Sequence, residues 1–258
     1  MTYSEYLRVR ELTNLQHPKS GGREHDEMLF IMIHQVYELW FKQVIHEITH
    51  LQTLFEAGKT FESLATLKRI LTIFKTLVSQ VDILETMTPL SFASFRDLLD
   101  ASSGFQSFQF RKIEFLLGAK REQLVTHFQG EPDFSQELKR LLSQRTLYDS
   151  FFILLQKQGL TVPSEILNRD ITKAHEDNKD AQKLLIQIYR ENPSLSQICE
   201  RLVDLDEGLQ EWRYRHVKMV ERTIGVKIGT GGSPGAEYLK KTLFQPLFPE
   251  LWTIRSQF

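Results

Sequence analysis

The chain has 258 residues, 41% of them hydrophobic, enough to bury a sizeable core as one large domain or two closely joined ones, which excludes a disordered chain. Its 32 basic and 33 acidic residues leave no global field to attract nucleic acid or an anionic membrane, so the expected partner is a small molecule or another subunit. One cysteine, Cys199, excludes an intramolecular disulfide and any CxxC motif. With a charged opening stretch, MTYSEYLRVREL, and no run of about 18 uncharged apolar residues, this predicts a cytoplasmic protein outside any membrane. Eighteen Phe, 3 Trp and 7 Tyr suit either a thick helical core or a flat hydrophobic ligand pocket.

In chain order, Gln16 to Gly22 reads as an irregular polar loop. From Asp26 to about Phe55, Leu29, Ile33, Val36, Trp40, Val44, Ile48, Leu51 and Phe55 recur at three and four, the period of one helix face, and Ala57-Gly58 ends the pattern. A second helix is predicted from about Phe61 to Glu85, with Leu64, Leu67, Ile70, Leu71, Phe74, Leu77 and Val81 on its stripe, antiparallel to the first because the loop between them is short. Thr88-Pro89 stops it. Further helical patterns cover about 90–99, 104–117, 135–157, 172–190 and 194–224, and 225–235 reads as a glycine-rich loop. No segment alternates with period two and no repeat has a fixed period. The expected fold is all-α.

Five features could carry chemistry. His46-Glu47-Ile48-Thr49-His50 matches the HExxH spacing that sets two imidazoles one helical turn apart for zinc. The extended form of that motif fails, because Thr53 and Glu56 stand where Gly and His are required. The loop Gly229-Thr230-Gly231-Gly232-Ser233-Pro234-Gly235 lacks the GK[ST] ending of a phosphate loop and follows no strand, but suits a segment that closes over a ligand. His34, with Phe30 one turn before and Tyr37 and Phe41 after, could hydrogen-bond or act as a base. His216, between Trp212 and Val220 on a long helix, could be an axial haem ligand. Arg96, flanked by Phe92 and Phe95, could clamp a carboxylate. Taken singly, each has an ordinary structural alternative: a surface histidine pair, a flexible connection, core or interface histidines, an ion pair with Asp97.

Three long segments give the set a common meaning: HDEMLFIMIHQVYELWFKQVIHEI (25–48), LETMTPLSFASFRDLLDASSGFQSFQFRKIEFLLG (84–118) and WRYRHVKMVERTIGVKIGTGGSPG (212–235). Together with Tyr3-x-x-Tyr6-Leu7 and PLFPELW (246–252), they closely resemble the tryptophan 2,3-dioxygenase family over nearly the whole chain, most weakly between about 119 and 195. The resemblance implies one all-helical domain over residues 1–258 and one haem b per subunit. It also implies cleavage of the indole C2–C3 bond of L-tryptophan by O2 to give N-formyl-L-kynurenine, the first step of the kynurenine pathway. By their matching positions, His216 is implied as the axial iron ligand and His34 as the residue that hydrogen-bonds the indole N–H. Arg96 is implied as the carboxylate clamp, Thr230 as the contact to ammonium and carboxylate, Phe30 and Leu7 as lining of the indole pocket, and Ser103 as a neighbour of the haem's distal face. Phe92 stands where some bacterial relatives carry a tyrosine that reaches the carboxylate, a change compatible with activity. A homotetramer, a dimer of dimers, is implied, with residues 1–20 packing on a neighbour so that Tyr3, Tyr6 and Leu7 act in trans. The resemblance also assigns the His46-Glu47 pair to a structural helix.

Overall fold

A computed structural model describes residues 1–99, 106–127, 131–225, 227 and 236–258. Among them no strand occurs, and the fold is all-α. In chain order the helices are α1 (Tyr3–Leu7), α2 (Val9–Leu12), α3 (His25–Glu56), α4 (Thr60–Leu84), α5 (Pro89–Arg96), α6 (Phe108–Leu117) and α7 (Glu122–His127). They are followed by α8 (Pro132–Leu142), α9 (Leu147–Lys157), α10 (Ser164–Leu167), α11 (Lys179–Glu191), α12 (Pro193–Ile224), α13 (Ala236–Lys240) and α14 (Pro249–Thr253). Among the described residues no helix is long and apolar enough to cross a membrane.

Three rods, α3, α4 and α12, form the frame; at 32 residues, α3 and α12 are each roughly 48 Å long. α4 packs most extensively on α12 and then on α3, while α3 offers its other flank to α9 and α6. Gly58, with φ at 75°, makes the reversal between α3 and α4 in three residues, as a residue without Cβ can. Val44, Ile48, Leu51 and Phe55 of α3 meet Leu67, Ile70 and Leu77 of α4 and Leu202, Leu205 and Leu209 of α12 in a core closed to water.

Local chemistry explains the element ends. Thr88 caps α5 through Ser91 N, with Pro89 in the first turn, and Asn192 and Pro193 do the same for α12. The pattern expected as one helix over 135–157 is two, α8 and α9, because Thr146 and Asp149 form a capping box that restarts the backbone. The 172–190 pattern begins as helix only at Lys179, where the Asn178 side chain accepts from Asp180 N and Ala181 N. The segment before it is gathered by side chains: Arg169 pairs with Asp149, and the buried Lys120 ammonium donates to the carbonyls of Leu142, Gln144 and Ile171. In the first half of α3 the buried stripe runs Ile33, Tyr37, Phe41, Val44, so Val36 and Trp40 are only half-buried. The helix there turns its aromatic flank inward.

Candidate functional site

That aromatic flank forms one wall of a cleft of about 920 Å3, counting the part open to solvent, between α3, α4, α6 and α12. His34, Tyr37 and Phe41 face it from α3, Val81 and Leu84 from α4, Phe110 and Arg111 from α6, and Trp212, Arg213 and His216 from α12. The spacing of 34, 37 and 41 puts three rings on one helix face. Trp212 is the hub of the aromatic packing, with ring centroids 4.6 Å from Phe110, 5.8 Å from Phe41 and 6.4 Å from Tyr37. The Tyr37 hydroxyl donates to Leu77 O at 2.9 Å, and burial raises its pKa well above the ordinary phenol value, so it is a neutral wall residue.

The two histidines differ in their bonding. Trp212 lies parallel to His216, with centroids 5.2 Å apart and planes 4° apart, and the half-buried His216 lines the cleft. Burial, with smaller contributions from His34 and Arg111, pushes the His216 imidazole down to about 4. It is therefore a neutral ring with a free lone pair at physiological pH. His34 Nδ1 lies 2.6 Å from Phe30 O; a carbonyl only accepts, so Nδ1 carries the hydrogen and Nε2 is left as an acceptor. Burial lowers the His34 pKa against the opposing pull of the Phe30 carbonyl and Glu38, which favours that neutral tautomer.

One end of the cleft is cationic. Buried Glu114 receives Arg111 and Arg121 on one oxygen and Arg213 on the other. Burial raises the Glu114 pKa, but Arg111, Arg121 and Arg213 together outweigh it and hold the carboxyl below its usual range. Trp212 Nε1 is a buried donor with no partner. A flat aromatic slot, a neutral imidazole, an unused indole donor and an arginine-bearing edge fit a planar macrocycle bearing carboxylates.

Phe30, Phe92 and His34 come together: Phe30 packs on His34 at 4.2 Å and on Phe92 at 5.7 Å, and Phe95 closes the cluster 5.6 Å from Phe30. Arg96, half-buried, ends α5 one turn beyond Phe92. Tyr3, Tyr6 and Leu7 lie apart from the cleft within this chain, on α1, with 77%, 73% and 44% of their surface exposed. Ser103, Thr230 and the glycine loop over 229–235 lie outside the described residues.

The HExxH reading fails on geometry. His46 and His50 point to solvent, whereas Glu47 is buried and held by Arg69 and Gln43. Among the described residues no cluster of three or more His, Cys, Asp or Glu could hold a metal ion. Sequence reasoning missed the Arg111–Glu114–Arg213 cluster, whose only signal is a charged pair at i, i+3 on the buried face of the stretch FQFRKIEFLL.

The family model described as tryptophan 2,3-dioxygenase matches residues 1–146 and 174–258. A protein of Herpetosiphon aurantiacus named tryptophan 2,3-dioxygenase is 55% identical over 256 residues, covering 99% of this chain and 98% of its own length. Proteins of the same name from Anaeromyxobacter sp. and Arthrobacter sp. are 49% and 40% identical, covering 99% and 100% of this chain and 96% and 92% of their own. The unmatched stretch, 147–173, holds α9 and α10 and contributes nothing to the walls of the cleft. By the extent and identity of these matches, the chain belongs to the tryptophan 2,3-dioxygenase family.

Proposed function

We propose that residues 1–258 form a single-domain, cytoplasmic, haem-dependent dioxygenase that cleaves the indole C2–C3 bond of L-tryptophan with O2 to give N-formyl-L-kynurenine, the first step of tryptophan degradation by the kynurenine route. The observation that carries this reading is the pair of histidines on one apolar cleft, both held neutral by burial, with Nδ1 of His34 bonded to Phe30 O so that Nε2 is its acceptor. His216 would hold the iron of haem b, and Arg111, Arg213 and Trp212 Nε1 its carboxylates, with Ser103 as a further haem neighbour. When bound, it supplies the iron(II) that takes up and activates dioxygen, chemistry outside the range of side chains.

The protein's part is recognition and positioning. His34 Nε2 accepts the indole N–H and so sets the orientation of the ring, which Phe30 and Phe92 flank. Arg96 binds the substrate carboxylate, and Thr230 reaches the ammonium and carboxylate from its loop. His34 need not remove a proton, because the indole nitrogen keeps its hydrogen if oxygen attacks the ring directly. Tyr3, Tyr6 and Leu7 complete a neighbour's pocket in a homotetramer built as a dimer of dimers; their exposure in the single chain supports this, since such apolar surface gains from being covered. The test is the absorption spectrum of the ferrous protein under nitrogen, followed by L-tryptophan and air while the formylated aryl ketone product is assayed. A Soret band with tryptophan-dependent product is expected; a protein that takes up no haem on reconstitution overturns the reading.

A further inference from the structure

The polar segment 16–22 is a strap that α3 holds at both ends through side chains. At its start, Gln35 donates from Nε2 to Leu15 O at 3.1 Å and accepts from Gln16 Nε2 at 2.6 Å. At its end, Glu27, 1% exposed, accepts Lys19 N at 2.6 Å on one oxygen and Ser20 N at 2.9 Å on the other. Two backbone donors on one buried carboxylate fix a chain more firmly than neutral bonds do. Ser20 is itself buried, and its own oxygens take Arg23 Nε at 3.0 Å and Glu24 N at 3.3 Å. The strap therefore delivers Glu24 to a defined place.

Glu24 stands in the N-cap position of α3 but makes no side-chain capping bond to it. Its carboxylate accepts instead from the Ser94 hydroxyl on α5. Ser94 Oγ also lies 2.8 Å from Ser91 O, but it has one hydrogen to give, and the carboxylate is the stronger acceptor. At about 100° per residue, Ser94 falls on the flank of α5 opposite Phe92 and Arg96. α5 is thus held from two sides, by Phe92 and Phe95 packing on Phe30 and by Ser94 bonded to Glu24. Since α3 carries His34 and α5 carries Arg96, the seating of one helix on the other sets the reach between these two side chains.

We propose that Glu27, Glu24 and Ser94 are positioning residues for tryptophan, the strap holding α5 on α3 so that Arg96 meets the carboxylate while His34 holds the indole. This rests on the roles given to His34 and Arg96 above. None of the three touches the substrate. Their effect is geometric, and a misplacement of about 1 Å can cost on the order of 100-fold in rate. Loosening the strap penalises a ligand that must reach both helices with polar groups. A ligand without a carboxylate gives Arg96 nothing to hold and is spared.

The experiment compares L-tryptophan with tryptamine, its analogue without the carboxylate, by Soret titration of the ferrous, haem-replete protein under nitrogen, together with kcat and KM in air. Ser94→Ala and Glu27→Gln should each raise the dissociation constant and KM for tryptophan by about fivefold or more, with kcat and tryptamine affinity within about twofold. Ser94→Thr, which keeps the hydroxyl, should match the wild type. Arg96→Gln is the reference, and it should weaken tryptophan but not tryptamine. If Arg96→Gln spares tryptophan, the reading of the site fails and the proposal with it. If Arg96→Gln weakens tryptophan while Ser94→Ala and Glu27→Gln do not, the proposal alone is overturned. Equal loss of both ligands in Ser94→Ala would also overturn it, as the mark of general loosening. Ser94 is exposed, so its variants keep the test decisive should Glu27→Gln fail to fold.

Discussion

The bond between His34 Nδ1 and Phe30 O makes the role of His34 quantitative. With Nδ1 fixed as donor, Nε2 keeps one lone pair, which in the proposed role accepts the indole N–H. His34→Ala therefore deletes a single hydrogen bond and strands its donor, a loss of about 1–3 kcal/mol. This corresponds to roughly 5- to 150-fold in tryptophan affinity. The assay is the dissociation constant of the ferrous, haem-replete protein under nitrogen, read from the Soret shift, for tryptophan and for its analogue with sulfur in place of the indole N–H. The analogue has no hydrogen to give, so the advantage of the wild type should shrink to within about threefold, as in a cycle where one partner is already absent. An equal loss with both ligands would show that the ring packing of His34 on Phe30, rather than the hydrogen bond, carries the effect. With tryptophan and air the variant should still turn over slowly. Complete inactivity of a haem-replete variant would refute the view that His34 accepts a hydrogen bond without removing the proton.

His216→Ala should lose haem or its normal ferrous spectrum, and an unchanged spectrum would rule out His216 as the ligand. Glu114→Gln leaves Arg111 and Arg213 buried with their shared counter-charge gone, which should cost about 3–5 kcal/mol, or roughly 10 °C in melting temperature. Because the folded pKa of Glu114 is depressed, its stabilisation is present above the unfolded value of 4.5 and lost as pH falls through the folded value. The gap between wild type and Glu114→Gln should accordingly narrow in melting curves recorded at acid pH, and a gap constant with pH would contradict this. Replacing His46 and His50 together by Ala, or dialysing against a chelator, should leave turnover unchanged and stability within about 0.5 kcal/mol, since both rings are exposed. A chelator-sensitive activity would revive the zinc reading.

The long helices were legible because apolar residues at three and four over twenty or more positions have no other economical explanation, and α3, α4 and α12 fall within a residue or two of their expected bounds. The break at 143–146 was not, because apolar periodicity persists across it and neither Gly nor Pro marks it; only the Thr146-x-x-Asp149 capping spacing betrays it. The short helices α1, α2, α10 and α14 hold four or five residues each, too few for a periodic pattern. Of the site, His34 and His216 stood out as histidines among rings, but their shared cleft depends on α3 and α12 being packed with a definite rotation, which spacing within one helix cannot specify. The parallel stacking of Trp212 on His216 could have been anticipated from their separation of four. The charge cluster around Glu114 could not, because its arginines come from positions 111, 121 and 213 and meet only in the folded chain.

The grip of Lys120 on three carbonyls bears on how such a chain can change over time. A side chain that reads backbone oxygens is indifferent to what residues 142, 144 and 171 carry, so long as the chain passes through the same points. Ile171 lies inside the stretch that the family model leaves unmatched, yet it is anchored to the matched frame by this contact. The arrangement lets the 147–173 region drift in side-chain identity while the frame that carries His34 and His216 stays fixed, a division between replaceable cladding and a constant chassis.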